Sequence, residues 1–306
     1  MMKNNFIFII VFITLFFSCQ TQEEHAALDT PTSGSLTVFA DAGLTSMLEN
    51  QAYTFMKIYP IAKINFEYTE ETNAIKSLHE NKCKTIAISR NLSEQEERLF
   101  KQSNITLNKS FIAKSAIVFI ASKEVKDTVL STTLLKQLLS GDTSKTTYKY
   151  CIFENKQSSS AIFLRDSLVK GSIGKNCFAA ENFNDLIQRI QKNKKSIGII
   201  DYAQISDSDD SICKFIKSNF KIIAISKNKD KLAYYPDQSN IQTGDYPFTR
   251  SIYLIRRGQD FSLAAGFITY VAGPSGQVIL LKTGFAPWRQ PERVISVNLN
   301  GLEENE

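Results

Sequence analysis

From residue 36 onward the chain switches repeatedly between two spacings of apolar positions. Leu36-Thr37-Val38-Phe39 has the density of a buried strand. After a turn at residues 40–43, Leu44, Met47, Leu48, Ala52 and Phe55 recur every three or four residues, which places them on one face of a helix. Tyr59-Pro60 ends that helix, because proline has no N–H to continue it. Ile64, Phe66 and Tyr68 alternate as a strand, and Ala74, Ile75 and Leu78 follow a polar turn at helical spacing. Residues 86–88 and 115–121 read as further buried strands. The alternation continues with helices over 134–139, 161–169, 185–191, 261–271 and 276–281, and strands over 148–153, 197–200, 222–225 and 251–255. Strands that alternate with helices predict an α/β fold, its sheets mostly parallel and covered by helices on both faces.

The first 35 residues follow other rules. Lys3 precedes twelve residues, Phe6 to Phe17, broken only by Thr14. A bilayer span needs about 20 apolar residues, so this run is too short to cross and fits the core of a secretory signal. Ser18-Cys19 follows at once, in the manner of a bacterial lipoprotein box. Cleavage there makes residues 1–18 a signal peptide and Cys19 the lipidated residue, held to a membrane by its buried methylenes. Residues 19–34 are polar, end in Pro31-Thr32-Ser33-Gly34, and are expected to form a flexible tether. The expected location is therefore outside the cytoplasm, on a bacterial membrane facing periplasm or cell surface.

Composition narrows the function further. Of 306 residues, 43% are apolar and 22% charged, which suits a chain with a real core. A net charge of +5, spread along the sequence, gives no sign of a nucleic-acid partner. Apart from Cys19 there are four cysteines, Cys83, Cys151, Cys177 and Cys213; an exported compartment permits disulfides, and the sequence leaves all three pairings open. No C-x-x-C spacing occurs and only His25 and His79 exist, so no metal site or cofactor is expected. Ser158 lacks a nearby base and Gly-x-Ser-x-Gly is absent, so no catalysis is expected.

In α/β sheets ligands bind beyond the carboxyl ends of the strands. Three strand-to-helix turns, residues 40–43, 69–73 and 158–160, offer unpaired N–H groups where helix dipoles favour negative charge. The triple serine Ser158-Ser159-Ser160 adds three hydroxyls.

Several stretches resemble the PstS-like phosphate-binding family of ABC uptake systems. Tyr270 to Pro287, with Pro274, Gly276, Gln277, Ile279, Leu280, Lys282, Gly284 and Phe285, is similar to its "P-x-G-Q-x-I-L-x-K-x-G-F-x-P" ending. Tyr246-Pro247-Phe248-Thr249-Arg250-Ser251-Ile252-Tyr253 resembles its return strand, and Ser89-Arg90-Asn91-Leu92 resembles "S-R-x-L". Ser196-Ile197-Gly198-Ile199-Ile200 and Ser158-Ser159-Ser160 fall in family order too. The resemblance implies a two-lobed periplasmic-binding-protein fold with crossing strands as the hinge. Lobe 1 would take residues 35–116 and 247–295, lobe 2 residues 117–246, and residues 296–306 a C-terminal tail. It also implies a monomer that traps phosphate or a related small solute between the lobes and delivers it to an ABC permease. The ligand set it implies is Asp41, Ala42, Thr72, Asn73, Ser89, Arg90, Ser158, Ser159 and Ser160.

The ligand loops depart from the family pattern. Asp41-Ala42 stands for Ser-Thr, Glu70-Glu71-Thr72 for a glycine-rich turn, Thr85 for the Asp that accepts the proton of bound phosphate, and Glu154 for an Arg. Replacing a charge-assisted hydrogen bond, worth about 1.5–3 kcal/mol, by repulsion works against a phosphate dianion. Carboxylates turned inward would suit an amine or a metal cation, whereas carboxylates on the rim would leave Lys156 or Arg90 to supply positive charge. The alternative is a lipoprotein that kept the fold, lost anion binding and serves as an interaction or structural protein.

Overall fold

The computed structural model describes residues 28–155 and 158–290; the signal segment, Cys19 and Lys156 lie outside the described residues. Thirteen strands occur in chain order among them. In the first half come β1 (Gly34–Ala40), β2 (Ala62–Tyr68), β3 (Thr85–Ile88), β4 (Leu107–Ser122) and β5 (Val129–Ser131). Then follow β6 (Tyr150–Phe153), β7 (Cys177–Ala179), β8 (Ser196–Asp201), β9 (Phe220–Ile222), β10 (Ala224–Ser226) and β11 (Ala233–Tyr234). The last are β12 (Thr249–Arg257) and β13 (Ala286–Pro287).

The main sheet runs β2-β1-β3-β12-β4-β8-β6-β7, with β13 and β9 also on β4. The register explains where a site can form. β1 lies parallel to both β2 and β3, with Ala40 opposite Tyr68 and Ala87, so these three strands end together and their loops open on one side. β6 and β8 are likewise parallel, Phe153 opposite Ile199. β4, at 16 residues, passes from one half to the other. It pairs with β12 up to Ala116 and with β8 from Ile117, both antiparallel. Its residues 115–122 are all buried, and 116–121 form the unbroken apolar run expected of a strand covered on both faces.

Helices cover the sheet as the spacing predicts. Helix Thr45–Ile58 buries Met47, Leu48, Ala52 and Phe55, and Phe55 meets the edges of Phe267 and Tyr270 from helix Leu263–Ala272. The C-terminal motif is structural. Gln277 donates to the carbonyls of Ile112 and Val271, and Gln51 donates to that of Gly276. Gly284 holds φ +82° with Ser206 O 2.0 Å from where a Cβ would stand, so only glycine fits. No single helix among the described residues is long and apolar enough to cross a membrane.

Residues 28–34, read from the sequence as the end of a flexible tether, are docked instead. The Asp29 carboxylate accepts a 2.7 Å hydrogen bond from the N–H of Leu263, and Pro31 O sits where a Cβ on Gly266 would be. A helix start with a free N–H and a glycine-made gap holds this segment in place.

Candidate functional site

The loops after β1, β2, β6 and β8 converge on a cavity of about 110 Å³. From the first half it is lined by Asp41, Ala42, Gly43, Tyr68, Thr69 and Glu70; from the second, by Glu154, Asn155, Asp201 and the three serines. Liquid water takes roughly 30 Å³ per molecule, so the space holds a solute of only a few heavy atoms.

Asp41 follows the end of β1 and caps the short turn Ala42–Leu44, its Oδ1 accepting from Gly43 N at 3.2 Å. Its Oδ2 accepts from Ser89 Oγ at 2.9 Å, which holds the carboxylate in one rotamer. Ser159 and Ser160 are buried in the first turn of helix Ser159–Phe163, with Ser158 as the residue before it. Asp201 ends β8 and is 3% exposed.

Behind these residues lies Arg250, 2% exposed, at the start of the return strand β12 and opposite Ser115 of β4. Its guanidinium donates to Ser159 Oγ at 2.8 Å and to Asp201 Oδ2. Asp201 Oδ1 also accepts from Ser115 Oγ at 3.3 Å and from Ala203 N at 3.2 Å. Gly43 approaches this pair so closely that a Cβ there would lie 2.7 Å from Asp201 Oδ2. The two halves thus meet at an internal ion pair.

Three acids are perturbed by this crowding. Burial, then the negative charges of Asp201 and Asp41, push the Glu154 carboxyl up to about 7, against the hydrogen bond it accepts from Gln204 at 3.1 Å. Burial also raises Asp201, opposed by Arg250. Burial and then Asp41 raise Glu71, opposed by Arg250, by the N–H of Ser89 and by Arg90.

The structure brings Asp41, Ala42, Ser158, Ser159 and Ser160 of the sequence-derived set to the cavity. It does not bring the other four. Thr72 and Asn73 lie exposed in the first turn of helix Glu71–His79, one step past the cavity, where Thr69 and Glu70 stand instead. Ser89 supports Asp41 from behind. Arg90 supplies no positive charge to the cavity: it bonds Glu71 at 3.0 Å and chelates both oxygens of Glu96 at 2.8 and 2.9 Å. Thr85 pairs with Val38, short of the strand end, and its hydroxyl is buried with no partner. The sequence reading missed the Asp201–Arg250 pair as the centre of the site. The signal for Asp201 was its place directly after an apolar strand; nothing local pointed from it to Arg250. Among the described residues no group of three or more His, Cys, Asp or Glu side chains is placed to hold a metal ion.

Comparison with known proteins follows the same lines. Over residues 25–275 the sequence matches the family described as the PBP superfamily domain. No curated protein matches it. A Clostridium perfringens structure, assigned as a phosphate ABC transporter substrate-binding protein with bound phosphate, superposes with a TM-score of 0.67 at 16% identity, over 84% of this chain and 100% of that one. An ABC-type phosphate transport receptor from Vibrio cholerae gives 0.64 at 14% identity, over 83% of this chain and 100% of the other. PstS from Borrelia burgdorferi gives 0.56 at 18%, over 83% and 98%. At such identities the likeness is one of fold, and it bears out the two-lobed α/β architecture and the resemblance read from the sequence.

Proposed function

The chain belongs to the PBP superfamily, and from that premise we propose that it is an exported, lipid-anchored solute-binding protein that traps a small polar solute between its halves and presents it to an ABC permease. The observation that carries this reading is the cavity itself: loops from both halves, and no single loop alone, wall a space sized for one small molecule. The change of partner within β4 at Ala116 and Ile117 supports a lobe boundary there, with β4 as a crossing strand that bends when a solute is trapped. The N-terminal run ending at Cys19 supports export and lipidation.

The ligand follows from charge. Among the described residues Arg250 is the guanidinium that lies behind the cavity, and Asp201 already neutralises it. Asp41, Glu70 and Glu154 add negative charge around it. Among the described residues, a dianion brought here meets repulsion that no lining cation offsets, whereas a solute with an amine or several hydrogen-bond donors meets carboxylates and serine hydroxyls. A second reading rests on Glu154: with its carboxyl raised to about 7, it is protonated in mild acid and can donate to a singly charged oxyanion such as dihydrogen phosphate.

Calorimetry on the mature protein, titrating small amines, phosphate, sulfate and molybdate at pH 6 and pH 8, separates these readings. The expected result is saturable binding of an amine-bearing solute at pH 8, with phosphate confined to pH 6. Tight phosphate binding at pH 8 would refute the charge argument. Silence toward every small solute would favour the alternative, a fold retained for interaction alone.

A further inference from the structure

Four cysteines remain once Cys19 is set aside, and they are free thiols in the structure. Their surroundings differ. Cys83 packs in an apolar cluster with Ala74, Ile75, Leu78 and Phe100, separate from the cluster that holds Cys151 and Cys213. The Cys213 thiol donates to the carbonyl of Ile205 at 3.2 Å. Cys151 and Cys177 face each other in register on the adjacent parallel strands β6 and β7. Residues paired in this way project to the same face of the sheet, and neighbouring strands lie about 4.8 Å apart. That separation falls inside the roughly 4.4–6.8 Å between Cα atoms that a disulfide spans.

We propose that Cys151 and Cys177 form a disulfide that fixes the edge strand β7 to β6, next to the loop that carries Glu154 and the three serines, and that Cys83 and Cys213 stay reduced. The assignment picks one of the six pairs that four cysteines allow, on register and on side chains sharing a face. The position gives the bond a purpose. β7 has three residues and one neighbour, since it ends the sheet, and β6 runs directly into Glu154. A covalent link at Cys151 holds the base of that loop whether or not the cleft is filled.

The order of events follows from exposure. Cys151 is fully buried and Cys177 partly exposed. Cys177 is the more exposed of the two, and the neighbouring Cys151 thiol holds it below the usual thiol range, so Cys177 is the first thiolate to form. It attacks the disulfide of an external oxidant, a thiol–disulfide oxidoreductase or oxidised glutathione, and expels one thiolate. Cys151 then loses its proton, attacks the Cys177 sulfur and expels the second. Two protons and two electrons leave the protein, and the oxidant ends as two thiols.

Oxidation in the cell rests on the export proposed above, so the test separates the two. The full chain, purified from the envelope fraction, is equilibrated with oxidised glutathione, alkylated under denaturing conditions and digested without reductant. Mass spectrometry is expected to find a Cys151–Cys177 linked peptide, with Cys83 and Cys213 alkylated. The Cys177→Ser variant, checked for folding by circular dichroism, is expected to lose the link and leave Cys151 alkylated. Four alkylated cysteines after oxidation, or a link of any other pairing, would overturn the proposal. Location is read independently by fractionation: a cytoplasmic chain would remove the export premise, while the glutathione result still decides the pair.

Discussion

Asp201→Asn is the most informative single change, because it keeps the shape of the site and removes one charge. Arg250 then keeps its bond to Ser159 and an acceptor oxygen at position 201, and loses the carboxylate that neutralises it. Breaking a buried ion pair from one side costs about 3–5 kcal/mol, since the remaining charge is left desolvated. Asp41 and Glu71 also act on Arg250 through space, so the cost falls near the lower figure, about 3 kcal/mol. For a folded body of this size each kcal/mol moves Tm by roughly 2–4 °C, which predicts a fall of about 6–12 °C. The same change leaves three serines lining a cavity with one carboxylate fewer, and an unneutralised guanidinium behind them. Phosphate or sulfate should now bind the folded variant, and at a hundred times Kd would return about 2.7 kcal/mol. The assay is thermal melting of parent and variant, each with and without millimolar phosphate at pH 8. A variant that melts within about 2 °C of the parent, or ignores phosphate, would refute the claim that Asp201 neutralises Arg250 and so keeps an anion out.

Two further outcomes follow from the geometry. Glu154 sits near 7 when folded against a usual value near 4.5, so between those values the folded chain holds a proton that the unfolded chain has released. Stability therefore falls as pH rises through that window; Glu154→Gln should flatten the Tm profile there and melt higher than the parent at pH 8, and superimposable profiles would count against it. Gly284→Ala forces a left-handed backbone on alanine and drives its Cβ into Ser206 O, so a loss of more than about 2 kcal/mol is expected by urea denaturation, and a neutral result would show that this turn relaxes easily.

Much of the fold was legible because strands β3 and β8 are buried on both faces, β1 alternates buried and more exposed positions, and helix Thr45–Ile58 carries a clean apolar stripe. Helix Glu94–Gln102 was not read, since Phe100 is its only buried residue and its other positions are mostly charged. The length of β4 was half seen: its first half mixes polar and apolar residues, and only residues 116–121 form an apolar run. Position in the site was harder. Thr72 and Thr69 look alike in a string of polar residues, and which one faces the cavity depends on where the helix begins. Arg250 and Asp201 lie 49 residues apart, and their meeting depends on the registers of β12 and β8 on β4, which no local pattern encodes.

The docking of Asp29 on the start of helix Leu263–Ala272 shortens the leash. With the acyl chains on Cys19 as proposed, the stretch from Cys19 to Asp29 reaches at most about 35 Å when pulled straight. Had the leash run loose to residue 34, it would have been half as long again. So anchored, the globule would patrol a shallow layer above its bilayer, within about one protein diameter of any transporter embedded there, and would not forage deep into the space beyond.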